Sequence, residues 1–578
     1  LIGSGTPSYL SDLHDIIMEI CRLDAMKDSP LEYKLDASDK RILHVSRDAL
    51  TRIFFCAYAY RYTGEQIYLE HAEKTIRTVC GFKDWNAGKH FLDTGEMAAA
   101  VAIGYDWLYD ALDEDTKRMA EKAFVDFAVN PARKKKGGAR FYRMTNNWNQ
   151  VCNAGIVCGC LAMYETFPER ARELIGISVE SNRKAMNEMY PPDGNYPEGP
   201  GYWGYGSTFE ALMLSALESC VGTDFGLSET KGFRDTGRYV VYSYGTTGRF
   251  YNYSDCGEYG TPSIALWYFA DRFNSPDVLY NELRLMRQGS YLNLGQESRL
   301  LPLMAAFAMN IPHGGVKAPK GVYSGNGVTP VVMFHTDWTF SESDVYLGVK
   351  GGGAGVPHSH MDAGSFVFDA EGVRWAKELP NPSYTSMEGP MIKLGGSLWK
   401  MEQNSLRWRA FAYNNRQHST LTVNDKDHIV GGFTPIRKVI EKRNRSGAVI
   451  DLTPALAGEL SKAMRTVEVV KAKDLVVTDK VEALDGKPAV VRWTLVTNGV
   501  PELTGDGIRL TIGDKVRFLR SDAKGARIEY KVWSADPKDY DSPLKEYERP
   551  VPGTYIVGFT ATVPSGGRAL FRTVLGTE

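Results

Sequence analysis

Apolar residues recur at helical spacing from about Asp48 to Arg287. The helices predicted there cover Asp48–Tyr60, Glu65–Val79, Gly95–Leu112, Asp113–Val129, Trp148–Glu165, Glu169–Met189, Ser207–Cys220 and Pro262–Phe273. Turn residues such as Pro191-Pro192-Asp193-Gly194 separate them. Helices that follow one another with short links predict stacked hairpins or an α/α toroid, and not βαβ units. After about Gly314 the period changes to two. Thr329–His335, Asp344–Val349, Ser365–Asp369, Ser419–Val423, Thr466–Val470, Leu475–Val481, Val490–Val496 and Thr554–Phe559 read as strands. Asp485-Gly486, Asn498-Gly499 and Asp506-Gly507 mark hairpin turns. The expected architecture is α+β: a helical toroid over residues 1–314 and an antiparallel β-sandwich over 315–578.

A chain of 578 residues calls for more than one core. Its hydrophobic fraction of 43% and charged fraction of 24% are those of a globular protein. The net charge of −2 argues against nucleic acid as the main partner. It leaves an anionic sugar open, because a local basic or amide-rich cleft can sit on a near-neutral surface. No apolar run is long enough for a membrane span. The start Leu1-Ile2-Gly3-Ser4-Gly5 fits a mature form whose signal peptide has been removed, so a periplasmic or secreted protein is expected. The eight Cys contain no Cys-x-x-Cys pair and fall mostly in apolar helical stretches, where buried free thiols are expected.

The strongest local signal is His358-Ser359-His360-Met361-Asp362-Ala363-Gly364-Ser365-Phe366. Two of only ten His stand at i and i+2; on an extended segment both point one way, whereas a turn would separate them. His418 lies at another loop-to-strand junction, and Glu378 lies between the two. Two His and a carboxylate make a plausible ligand set for a divalent metal. The helical half carries Arg143-Met144-Thr145-Asn146-Asn147-Trp148-Asn149-Gln150, of which one Asn suits a helix cap. It also carries Asn195-Tyr196-Pro197-Glu198-Gly199-Pro200-Gly201-Tyr202-Trp203-Gly204-Tyr205, whose aromatics either meet sugar rings or plug a core.

Together these segments resemble the heparinase II/III-like family of polysaccharide lyases, most specifically through His-x-His-x-Asp-x-Gly-Ser-Phe. The resemblance covers most of the chain and implies an incomplete (α/α) toroid joined to a β-sandwich, acting on acidic, uronic-acid-containing polysaccharides such as glycosaminoglycans or similar glucuronans. It implies that Tyr202 is the catalytic Tyr, with Tyr205 as a competing assignment, and that Asn147 neutralises the substrate carboxylate. Asn149, Gln150, Trp148 and Glu198 are implied beside the substrate. It implies that His358 contacts the sugar or takes the C5 proton, in one cleft with Tyr202. His360, Glu378 and His418 resemble a structural zinc set. Two departures stand out: Trp148 occupies a position where several relatives have a His, and Glu378 stands where Asp is commoner. Arg143 and Arg416 flank the motifs and are candidates to lower a phenol pKa.

Two other functions fit the same residues less well. A glycoside hydrolase would need paired carboxylates, such as Asp193 and Glu198. A non-catalytic sugar-binding protein would need the aromatics alone.

Overall fold

The computed structural model describes residues 8–36, 40–134 and 138–577. They form two compact units. The first comprises residues up to 194 with 202–237 and 261–318; the second comprises 195–201, 238–260 and 319 onwards. The second unit therefore includes two segments from the helical half of the sequence, in addition to everything after position 318.

In the first unit, the helix Phe91–Trp107 is buried on nearly every side and packs against Leu43–Thr63 and Asn147–Ala162. Its composition explains this, since Ala, Met, Val and Ile leave no polar stripe to face water. Gln66–Cys80 and Glu114–Phe124 are amphipathic and bury one face each. Close approach of Phe91–Trp107 to Asn147–Ala162 depends on glycine. A Cβ on Gly155 would meet the Gly95 carbonyl oxygen at 2.0 Å. Every predicted helix is present, with ends shifted by up to seven residues, as for Ser207–Cys220, which begins at Pro200. No described helix is long and apolar enough to cross a membrane. All eight Cys are free, and all but Cys220 are buried.

The second unit contains three antiparallel sheets. Strands β1 (Tyr323–Gly325), β2 (Val331–His335), β3 (Tyr346–Lys350), β4 (Phe366–Ala370) and β5 (Val373–Ala376) form a meander in sequence order. A four-stranded sheet runs β15 (Ile528–Trp533), β16 (Tyr555–Val563), β11 (Ala489–Thr497), β6 (Leu421–Val423). The eight-stranded sheet has the order β12, β13, β14, β17, β10, β9, β8, β7. Its members are β7 (Ile436–Lys442), β8 (Arg445–Asp451), β9 (Leu460–Val470), β10 (Asp474–Ala483), β12 (Val500–Leu503), β13 (Ile508–Ile512), β14 (Lys515–Lys524) and β17 (Arg568–Gly576). One continuous core joins the three sheets, running through Phe368, Trp375, Ile450, Val477, Trp493 and Phe571. The period-two pattern of β9 and β10 supplies its inward side chains.

The borrowed segments are bonded into this unit. Asn195 donates its amide to the carbonyls of Asn326 and Thr329. Arg374 donates to the carbonyls of Arg249 and Phe250 while pairing with Asp369. The Tyr253 hydroxyl donates to the Tyr196 carbonyl.

Candidate active site

The paired His lie in the loop between β3 and β4. His358 has φ +63, in the left-handed region, so the segment turns there instead of running extended. Both imidazoles nevertheless meet one carboxylate, that of Asp255. His358 Nδ1 lies 3.0 Å from Asp255 Oδ2, and His360 Nε2 lies 2.9 Å from Oδ1. The Asp255 backbone N–H donates to the His358 carbonyl. The loop is fixed at several further points. Met361 N–H donates to the Tyr413 carbonyl, and the Thr420 hydroxyl to the Ala363 carbonyl. One nitrogen of Arg465 donates at 3.1 Å to the carbonyls of both Gly364 and Ser419, tying the His358 loop to the His418 segment. Arg465 is itself paired at two points with Asp479, which also accepts from the Trp493 indole.

Charge is concentrated around Asp255. Burial would raise its carboxyl pKa, but the Arg407 guanidinium and hydrogen bonds from both His hold it well below the usual carboxylate range. Arg407 Nη2 lies 3.1 Å from each carboxylate oxygen, and its remaining donors bond the Ser359 and Leu398 carbonyls. Its guanidinium carbon sits 3.9 Å from the centre of the Tyr413 ring. Burial lowers the His360 pKa against the opposing pull of Asp255. Nearby, Lys350 pairs with Asp362 at 2.5 Å, and His418 Nδ1 pairs with Glu378 Oε2 at 2.5 Å. Burial works against a charged His418, yet the Glu378 charge raises its pKa.

These pairings bear on the expected zinc set. His360 is engaged with Asp255, and His418 with Glu378. Among the described residues no three His, Cys, Asp or Glu side chains converge as a metal-holding group. His418 Nε2 and Glu378 Oε1 are buried without a hydrogen-bond partner, and the His360 and His418 ring centres lie 5.4 Å apart. As arranged, His360, Glu378 and His418 are paired off and are not gathered around one point among the described residues.

Tyr384 brings its hydroxyl to 3.2 Å from His358 Nδ1, and the Trp399 ring lies edge-on to the imidazole with centroids 5.5 Å apart. Glu198 belongs to the same unit as His358. It is buried, one carboxyl oxygen has no partner, and burial pushes its pKa up to about 7, against the lowering effect of His358.

The helical motif divides into different roles. Asn146 caps the helix Asn147–Ala162 by accepting from the Trp148 N–H. Asn147 is buried in the first turn, and Trp148 packs edge-on to His90, which bonds Asp93 at 2.6 Å. Asn149 and Gln150 were expected beside the substrate, but both are fully buried in an internal polar network. Asn149 donates to the Phe141 carbonyl and the Ser181 hydroxyl and accepts from Asn153. Gln150 donates to the Tyr190 hydroxyl and to Glu210. Their place on the inward side of the helix accounts for this, because an amide sealed between helices must bond to its neighbours.

Tyr205 donates to the Glu96 carboxylate at 2.7 Å between Arg47 and Arg299. Burial and Glu96 push its phenol well above the ordinary value, which suits it poorly to act as a base. Tyr202 is half-buried in the first turn of Pro200–Val221. Arg143 is exposed. Arg416 was expected to assist the chemistry, but its guanidinium is taken up by Asp425 and Asp427. The guanidinium that meets the carboxylate shared by the two His is that of Arg407.

Sequence reasoning passed over Asp255, Arg407, Tyr384 and Trp399. Asp255 lies 103 residues before His358 in a stretch with no regular period. Arg407 sits in Leu406-Arg407-Trp408-Arg409, ahead of the His418 motif, and the aromatic spacing around it was the available clue.

Residues 339–557 match the model of the heparinase II/III-like C-terminal domain. Among solved structures, heparinase III aligns over the whole of this chain and 86% of its own, at 12% identity and a TM-score of 0.57. A mutant of the heparan sulfate lyase HepC from Pedobacter heparinus aligns over 99% of this chain and 85% of its own, at 13% identity and the same score. No curated protein sequence matches the chain. Likeness at this identity establishes the shared fold. Residues 339–557 thus resemble the heparinase II/III-like C-terminal domain, within a chain that shares the toroid-and-sandwich fold of heparinase III.

Proposed function

We propose that the protein is a polysaccharide lyase that cleaves a uronic-acid-containing polysaccharide, a glycosaminoglycan or similar glucuronan, by β-elimination. The observation that carries this reading is the His358 imidazole, held by the buried Asp255–Arg407 pair within a heparinase II/III-like domain. In the tautomer whose Nδ1–H donates to Asp255, Nε2 is the basic nitrogen of the imidazole. That nitrogen takes the proton from C5 of the uronate. The C5–H electrons form the C4=C5 double bond, and the C4–O bond breaks. The step also needs a donor for the carboxylate charge and an acid for the leaving oxygen, roles that the family resemblance implies for Asn147 and for the Tyr202 phenol. No zinc-dependent step is included, because the expected ligands are engaged in pairs. One equivalent of zinc in protein purified without chelator would reverse that choice. A periplasmic or secreted location suits a polymeric substrate and is tested by cell fractionation.

The test is a panel of hyaluronan, chondroitin, heparan sulfate, alginate and bacterial glucuronans, read by the ultraviolet absorbance of a conjugated uronate product. Tyr202→Phe should lower kcat about 10²- to 10⁴-fold while sparing polymer binding. Reducing ends that appear without the absorbance would mean hydrolysis and end the lyase reading.

A further inference from the structure

We infer that the segment 384–400 is a sugar-binding platform on which the indole of Trp399 stacks against a pyranose ring of the substrate, next to His358. This rests on the proposed lyase reading for the identity of the ligand, though not for the existence of the platform.

Three large apolar side chains are exposed within eight residues of each other: Ile392 at 62%, Leu394 at 51% and Trp399 at 40%. Scattered exposed apolar residues need no explanation, but a group confined to one short segment does. The segment is firmly anchored. Met387, Met391 and Leu398 are fully buried and pack with Trp408, Tyr413, Val430 and Leu544. Leu398 points inward while its neighbour Trp399 faces out, so the exposure of the indole follows from the anchoring and does not reflect a loose loop.

The indole is also held in orientation. Its N–H donates to Glu388 at 3.0 Å, and its backbone N–H donates to the Ser397 hydroxyl. The Tyr384 ring meets it edge-on, with centroids 4.9 Å apart. A flat aromatic face fixed in this way binds at low entropic cost. A pyranose presents axial C–H bonds on one face, and these suit the electron-rich face of an indole. With the His358 and Trp399 ring centres 5.5 Å apart, a sugar on the indole lies about one ring from the imidazole. The ligand class is therefore the sugar ring adjoining the uronate that reacts. Lys393, exposed on the same segment, suits an anionic chain.

The test compares Trp399→Ala and Trp399→Phe with wild type on oligosaccharides of the best polymer from the panel. Trp399→Ala should raise KM about five- to tenfold and leave kcat within about twofold, and Trp399→Phe should recover most of the loss. Equal urea midpoints for all three proteins establish that the variants are folded. An unchanged KM in Trp399→Ala overturns the proposal. So does a change in sedimentation with no change in KM, which would make the patch a protein contact. If wild type gives no unsaturated product from any polymer, the lyase reading fails by itself. The platform is then judged by affinity electrophoresis in gels containing the same polymers. Loss of retardation in Trp399→Ala supports it, and equal migration of variant and wild type overturns it.

Discussion

Two buried polar assemblies, one in each unit, look alike in sequence and differ in kind. In the helical unit, Asn149, Gln150, Asn153, Ser181, Asn182, Tyr190 and Glu210 bond one another inside the bundle. Every member but Glu210 is neutral over the physiological range, and burial pushes the Glu210 pKa up to about 7. In the sheet unit, Asp255 is held ionised by Arg407 and two imidazoles, and the His358 side chain retains 11% exposure. The amide network is neutral and sealed inside the bundle, whereas the carboxylate cluster carries charge and one of its members reaches solvent. A run of polar residues in a sequence therefore signals a network without saying which kind it is. The distinction lies in net charge and in whether one member still reaches solvent.

Substitutions on each side can break or sharpen this contrast. The largest effect is expected from Asp255→Asn. It leaves Arg407 with a buried, uncompensated charge and should cost about 3–5 kcal/mol in urea unfolding, along with most of the turnover. A variant as stable as wild type would show that the cluster is not held by charge. Next comes Glu210→Gln. The folded pKa of Glu210 is raised, so its contribution to stability is complete below the unfolded value near 4.3. It is lost as pH rises through about 7. Over that window wild type should lose about 3 kcal/mol that the Gln variant keeps, measured as unfolding free energy at pH 4.5 and pH 8. An identical slope in the two proteins would contradict a neutral network. The smallest effect is assigned to Asn149→Ala, at about 2 kcal/mol of stability with KM and kcat within about twofold. A raised KM at unchanged stability would return Asn149 to the substrate.

The same contrast explains what the sequence discloses. The change of period near position 314 is physical, since side chains repeat at 3.6 in helices and at 2 in strands, and it foretells helices followed by antiparallel sheets. The Asp-Gly and Asn-Gly pairs fall between successive strands as expected: Asp485-Gly486 joins β10 to β11, and Asn498-Gly499 joins β11 to β12. The extent of the units is less legible. Residues 195–201 and 238–260 belong to the sheet unit because of hydrogen bonds that no periodicity encodes, such as Asn195 to the Thr329 carbonyl. His358 and His360 announce themselves by rarity and spacing. Asp255 does not, because one Asp among 70 acidic residues carries no local mark and acquires its role by meeting a loop that follows it by 103 positions. Asn149 and Gln150 mislead for the opposite reason: they sit in a conspicuous polar run, and the run is turned inward.

The single Arg465 nitrogen shared by the Gly364 and Ser419 carbonyls has a consequence for variation and design. It makes two loops far apart in the chain into one mechanical part, so a length change in either would be felt by the histidines of both. Any attempt to transplant this chemistry onto another sandwich would have to move the two loops together, with the arginine and its aspartate partner beneath them.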